Sequence, residues 1–193
     1  MEKLKSYFQR VGFDETDSEK IACRFKCVRF DKNEFFVKVG KTSTQIGFIE
    51  VGQFQYYSIT SQGEERTTYI SLENNFLASL LSYLNEIPAL ENIKAISNAT
   101  LWVIDKKNVI DLQSQLPKFK DFYIKLIEHQ ICCIDKSRLE LITLTAEQRY
   151  EKVLKDEPEL LQKAPLQFIA SMLGITPRHL SRLRAKKIDN SMF

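Results

Sequence analysis

From residue 166 to 184 the chain reads LQFIASMLGITPRHLSRLR. Ala170 and Gly174 stand four apart, and Ile169, Leu173, Ile175, Leu180 and Leu183 recur at helical spacing. A small residue where two helices approach, a glycine at the turn and apolar residues that lock the pair together are what a helix-turn-helix requires. Thr176 is a good N-cap for the second helix, and Pro177 suits its first position because no amide hydrogen is wanted there. With Leu180 and Leu183 turned inward, Arg178, His179, Ser181 and Arg182 fall on the outer surface near the helix start, where such a helix meets base edges. The guanidinium forks of Arg178 and Arg182 match O6 and N7 of guanine in the major groove. His179 is either a donor to base or phosphate or a surface histidine without a role. Arg184, Lys186 and Lys187 lie further along and suit phosphate contacts, which position without specifying.

Charge supports this reading. Residues 143–193 hold nine Lys/Arg against six Asp/Glu, a surplus of three that equals the net charge of the whole chain. The first 142 residues are therefore balanced, and the basic excess sits on the segment that would approach phosphate. Between Arg178 and Lys187 there is no acid at all.

The elements that must position this unit occupy the rest of a 193-residue chain, long enough for one or two domains with real cores. Residues 1 to about 22 read as helical, with Asp14 and Asp17 as caps for a second short helix. From Cys23 to Ile104 the texture becomes β-rich, with runs at 34–40, 45–60, 65–71 and 99–105 separated by polar turns. That pattern predicts a closed antiparallel sandwich or barrel burying Phe35, Val37, Phe48 or Ile49, Tyr57, Ile59, Tyr69 and Trp102. A helix-like stretch at 75–85 interrupts the strands. Asp105 caps a short helix, and Pro117 opens a longer one with Ile124, Ile127, Ile131 and Ile134 spaced three, four and three apart, a coiled-coil seam. Phe119, Phe122, Leu126 and Cys133 mark a neighbouring stripe. One face then packs on the β domain and the other on the same helix of a second subunit, or a single broad face is buried within a monomer. Thr143 to Thr145 form a hinge, and Thr145 with Gln148 makes a capping box for the next helix.

No apolar run approaches the length of a membrane span, and the charged N-terminal residues do not resemble a signal peptide, so a cytoplasmic protein is expected. Cys23, Cys27, Cys132 and Cys133 lack zinc-site spacing, and with two histidines the ligand supply is poor; no metal is expected, and the thiols are expected to be reduced and mostly buried. A redox pair of Cys23 and Cys27 is the alternative. No acid/base pair, Ser/His/Asp set or phosphate-cradling glycine loop is visible, which argues against an enzyme.

With these parts in order, the chain resembles the Crp/Fnr family of bacterial transcription regulators, most strongly over residues 145–184, which look like the DNA-binding domain of the family's Bacteroidetes-type members. The resemblance implies an α+β architecture: an antiparallel β jelly roll of cyclic-nucleotide-binding type at 1–116, a dimerisation helix at 117–142 and a winged-helix-like DNA-binding domain at 143–193. It implies homodimers that bind palindromic operators on double-stranded DNA and contact RNA polymerase, with Thr176, Arg178, His179 and Arg182 in the DNA-facing stretch. The terminal IDNSMF stands in place of a wing, which is expected to be absent or short. The effector pocket would involve Phe76, Leu77, Ala78, Ser79, Leu80 and Ala89. Members that bind cyclic nucleotide carry a GE-x-A-L cassette followed by Pro-Arg, because the cyclic phosphate and ribose need an Arg and a Glu. Here Ser79 stands where the Glu is expected and Ala89 where the Arg is expected. Binding of cAMP or cGMP by the usual chemistry is therefore not expected, unless Lys94 or Arg66 supplies the charge, and no cofactor is predicted. The cysteines and histidines also lie outside the positions used by the family's iron–sulfur and haem sensors. An apolar pocket for a small uncharged or lipid-like molecule, lined by Tyr56, Tyr57, Phe76, Leu80 and Leu81, is one reading; that these residues fill the core is the other. An alternative for the whole chain is an effector-binding or protein-interaction module whose basic tail meets an acidic protein.

Overall fold

The computed structural model describes the backbone of residues 1–190 and the side chains of residues 1–185. Two short helices, α1 (Glu2–Arg10) and α2 (Glu15–Ala22), precede the sheets. Asp14 caps α2 by accepting from the amide of Asp17, so of the two acids expected as caps only Asp14 serves. Eight strands follow, β1 (Lys26–Phe30), β2 (Phe35–Val37), β3 (Gln45–Val51), β4 (Phe54–Ile59), β5 (Glu65–Ser71), β6 (Phe76–Leu77), β7 (Asn92–Ala95) and β8 (Ala99–Asp105), with helix α3 (Leu80–Asn85) between β6 and β7. They form two four-stranded antiparallel sheets, ordered β1-β8-β3-β6 and β2-β7-β4-β5. The result is the antiparallel sandwich that the short β-rich runs predict, in the jelly-roll form that the resemblance implies.

The predicted run at 45–60 is two strands in different sheets. The chain changes sheet at Gly52, whose φ is +98° and where a Cβ would meet the Cβ of Ala99 at 2.6 Å. Only glycine fits there, on both backbone and steric grounds. The helix expected over 75–85 is shorter than predicted. Phe76 and Leu77 pair with Phe48 and Gly47 of β3, so the helix starts only at Leu80. Cys23 lies at the end of α2 rather than on a strand, and Cys23, Cys27 and Cys132 are exposed with Cys133 half-buried, contrary to the expected burial. Ile59 is also outside, at 52% exposure. Phe48 and Ile49 are both fully buried, because one serves the core toward α1 and the other the core between the sheets.

Asp105 caps α4 (Lys106–Gln115), and Pro117 opens α5 (Pro117–Thr143). Phe119 and Phe122 of α5 close the aromatic core around Phe8, Phe13 and Phe76, so one face of α5 is seated on the β domain as expected. On the other face Ile124, Ile131 and Ile134 stand 42%, 51% and 52% exposed, with Ile127 half-buried. The chain turns at Leu144 into α6 (Ala146–Asp156), whose capping box of Thr145 and Gln148 is complete. Helices α7 (Pro158–Lys163), α8 (Leu166–Met172) and α9 (Pro177–Asn190) complete the described chain.

Candidate functional site

The helix pair α8 and α9 is built as the residue spacing requires. Ile169, Ala170 and Leu180 are fully buried, and Leu173 and Leu183 nearly so, in one cluster with Tyr150, Leu160 and Leu161 of α6 and α7. Gly174 holds φ at +72° in the turn, a left-handed conformation that a side chain would strain. Thr176 Oγ1 accepts from the amide of His179 at 3.2 Å, so the start of α9 is capped. Above this buried stripe Thr176, Arg178, His179, Ser181 and Arg182 are all exposed. Neither Arg178 nor Arg182 forms an ion pair among the described residues. Two guanidinium groups thus stand in solvent at the N-terminal end of a rigidly seated helix.

Other basic residues of this region are used internally. Arg149 donates to the carbonyls of Leu144 and Leu173, tying the hinge to the turn of the helix pair. Arg184 donates to the carbonyl of Leu161 at 3.0 Å, so in this structure it secures α7. Lys152 pairs with Glu140 and Lys163 with Glu159. The side chains of Lys186 and Lys187 lie outside the described residues.

Helix α8 also rests on the sandwich. Ser171 Oγ accepts from the backbone amide of Thr67 on β5 at 2.9 Å, and Ile70 and Ile96 of the β domain join the core of the helix pair. A Cβ on Gly174 would lie 2.9 Å from the guanidinium of Arg66. Sequence reasoning misses this contact because nothing in Thr67 or Ser171 signals a partner 104 residues away.

The cassette region has a different character. Leu77 and Ala89 are buried between the sheets, and Phe76 and Ala78 pack on the aromatic core around Phe8. Leu80 is half-buried and Leu81 exposed. Ser79, 1% exposed, donates its hydroxyl to Glu91 at 3.2 Å. The Tyr56 hydroxyl takes the amide of Ala78 at 3.1 Å, and its ring meets Tyr69 edge-on at 5.8 Å. Burial pushes the carboxyl of Glu91 above the ordinary carboxylate range, against the opposing pull of Ser79. Burial, then Glu157 and Cys133, push Tyr69 up to about 12. Lys94 is bound to Glu65 at 3.0 Å and lies over the ring of Tyr57, while Arg66 sits beside Gly174. Among the described residues, no lysine or arginine bonds to Ser79, Tyr56 or Glu91. Glu91 escapes sequence reasoning because an isolated acid after Ala89 gives no sign of burial.

Residues 27–115 match the family described as the cyclic nucleotide-binding domain. Among solved structures, FixK2 from Bradyrhizobium japonicum is similar at 14% identity and a TM-score of 0.73, over 86% of this chain and 86% of its own. The catabolite activator protein of Thermus thermophilus is similar at 16% identity and 0.59, over 93% and 86%. The c-di-GMP-responsive regulator CLP of Xanthomonas campestris is similar at 14% identity and 0.67, over 92% and 93%. The chain has the fold of the Crp/Fnr regulators. A comparison with curated protein sequences finds no match. The cassette of this chain holds the hydroxyls of Tyr56 and Ser79 and the carboxyl of Glu91 within hydrogen-bond reach of one another or of the backbone. Among the described residues no group of three or more His, Cys, Asp or Glu is placed to hold a metal, and no helix is long and apolar enough to cross a membrane.

Proposed function

We propose that this chain is a sequence-specific DNA-binding transcription regulator of the Crp/Fnr type, acting as a homodimer at palindromic operators. The observation that carries this reading is the surface of α9: Arg178 and Arg182 are exposed above the fully buried Leu180 and have no ion-pair partner among the described residues. A purely structural helix pair gains nothing from two exposed guanidinium groups at the end that meets base edges. A second copy supplies the cover for Ile124, Ile131 and Ile134, and two reading helices then address half-sites about one helical turn apart. RNA polymerase is the partner through which such a dimer would act.

The cassette belongs to this proposal as a site that no longer takes cyclic nucleotides. A buried phosphate without a cation, facing the Glu91 carboxyl, is disfavoured both by desolvation and by like charge once that carboxyl ionises. Titration with cAMP and cGMP is expected to give no saturable binding in the micromolar range.

The deciding experiment is selection of binding sites from random double-stranded DNA, followed by salt titration on the selected and a scrambled sequence. A specificity ratio of about 10³ or more with a steep salt slope is the expected result. Equal affinity for both sequences overturns the reading. Replacing Ile127 and Ile131 by Asp is expected to give monomers in sedimentation and to weaken operator binding; a dimer that survives the change places the subunit interface elsewhere.

A further inference from the structure

A further opening lies on the sandwich, away from the exposed surface of α9. It is a groove of about 720 Å³ where the sandwich opens between β1 and β2. The two strands are edges of opposite sheets, joined by a short turn in which Asn33 has φ of 74°. The chain therefore leaves one sheet and enters the other without closing the gap between them. Phe30 and Phe36 floor the opening, with ring centroids 6.2 Å apart, and Phe30 stacks edge-on against the buried Phe54 at 5.7 Å. Phe35 lines it as well, with the ammonium of Lys38 4.6 Å above its ring.

The rim is cationic. Arg29, Lys38 and Lys41 line the groove, all exposed, and none has an ion-pair partner among the described residues. The one acid in the lining, Glu34, is bound to the backbone amide of Asp31 at 2.6 Å. Aromatic surface below unpaired positive charge, in a volume within the usual range for ligand pockets, is complementary to a molecule with an apolar body and an anionic head. We propose that this groove is a binding site for an anionic amphiphile, an alkyl or aryl chain ending in a carboxylate or a phosphate, its body on Phe30 and Phe36 and its head on Lys38 and Lys41.

The loop that carries these lysines is bonded to the cassette from both directions. Gly40 donates to the carbonyl of Ala89 at 2.8 Å, and Ala89 donates to the carbonyl of Lys41 at 3.0 Å. An occupant that orders the loop would thus act on the cassette backbone without entering it.

The test is calorimetric titration of the full chain with decanoate and decyl phosphate below their aggregation thresholds, alongside decanol and decyltrimethylammonium. Amide chemical-shift mapping locates the bound molecule. Both anions are expected to bind at least tenfold more tightly than the alcohol, with the cation weakest and the shifts centred on residues 29–43. The stronger of the two anions identifies the head group. Lys38→Gln combined with Lys41→Gln, two exposed positions whose loss leaves the core intact, is expected to weaken anion binding at least tenfold. The proposal is overturned if decanol binds as well as decanoate, if the double variant binds normally, or if the shifts fall on the isoleucine face of α5.

Discussion

On α9, Arg178 and Arg182 stand in solvent without ion-pair partners among the described residues, whereas in the cassette Ser79 is closed on Glu91 and Tyr56 on the backbone of Ala78. Both regions are seated on well-packed cores, so the difference is not one of order. It lies in what the polar groups have been left to do. Groups that meet an outside partner must keep some hydrogen-bonding or charge capacity unspent, and exposed guanidinium forks do so. Buried groups bonded to one another have spent it, as the Ser79 hydroxyl on Glu91 and the Tyr56 hydroxyl on Ala78 have.

The largest effect expected on this contrast comes from the apolar stripe beneath the arginines. Leu180→Ala removes a fully buried side chain from the core of the helix pair and should cost about 2 to 5 kcal/mol in denaturant unfolding, with loss of operator binding. A cost below about 1 kcal/mol would mean that α9 is not held by that stripe and that the exposed arginines have no fixed platform. Arg182→Ala should leave unfolding unchanged while removing about 1 to 3 kcal/mol of discrimination at a single base position. Competition binding across all single-base variants of the selected site reads this directly. A uniform loss on every sequence would turn Arg182 into a phosphate contact and blur the contrast with the helix's more distal basic residues.

Much of the reading unit is legible in the sequence because its constraints are local. Gly174 at the turn, Thr176 and Pro177 at the helix start, and the capping box of Thr145 and Gln148 each depend on neighbours within a few residues. Strands 65–71 and 99–105 are legible for the same reason: β-branched and aromatic residues lie between clear turn signals. The misses are places where a distant partner decides. β1 has four exposed residues out of five, so it carries no burial alternation and is recognised only by its pairing with β8. Gly52 interrupts an apparently continuous β run because Ala99 leaves no room for a side chain. Phe76 and Leu77 have helix-compatible neighbours but are claimed by β3. The cassette conceals Glu91, whose carboxyl is desolvated by packing that no neighbouring residue type announces.

The contact between β5 and α8 joins the sandwich to the helix pair, and it can be weakened selectively. Ser171→Ala removes the hydroxyl that accepts from Thr67, a loss of about 1 kcal/mol, which should speed hydrogen exchange of the Thr67 amide about fivefold. If operator affinity moves with that rate, the seating of α8 on the sandwich is part of the reading geometry. Faster exchange with unaltered affinity would make DNA reading independent of how α8 sits on the sandwich.

The smallest and most local effect is expected from the cassette acid. Burial raises the carboxyl of Glu91, so the folded chain retains a proton that the unfolded chain releases at lower pH. Its contribution to stability is therefore fully present below the ordinary carboxylate value and is lost as pH rises through the raised one. Glu157, raised chiefly by burial, has the same sign. Glu91→Gln deletes one of these two contributions and keeps a donor and an acceptor beside Ser79. The variant should show a shallower decline in stability on the alkaline side of the carboxylate range, while the remaining slope belongs to Glu157. An undiminished slope would show that Glu91 is as well solvated as an ordinary carboxylate. The cassette would then be open to water at Glu91.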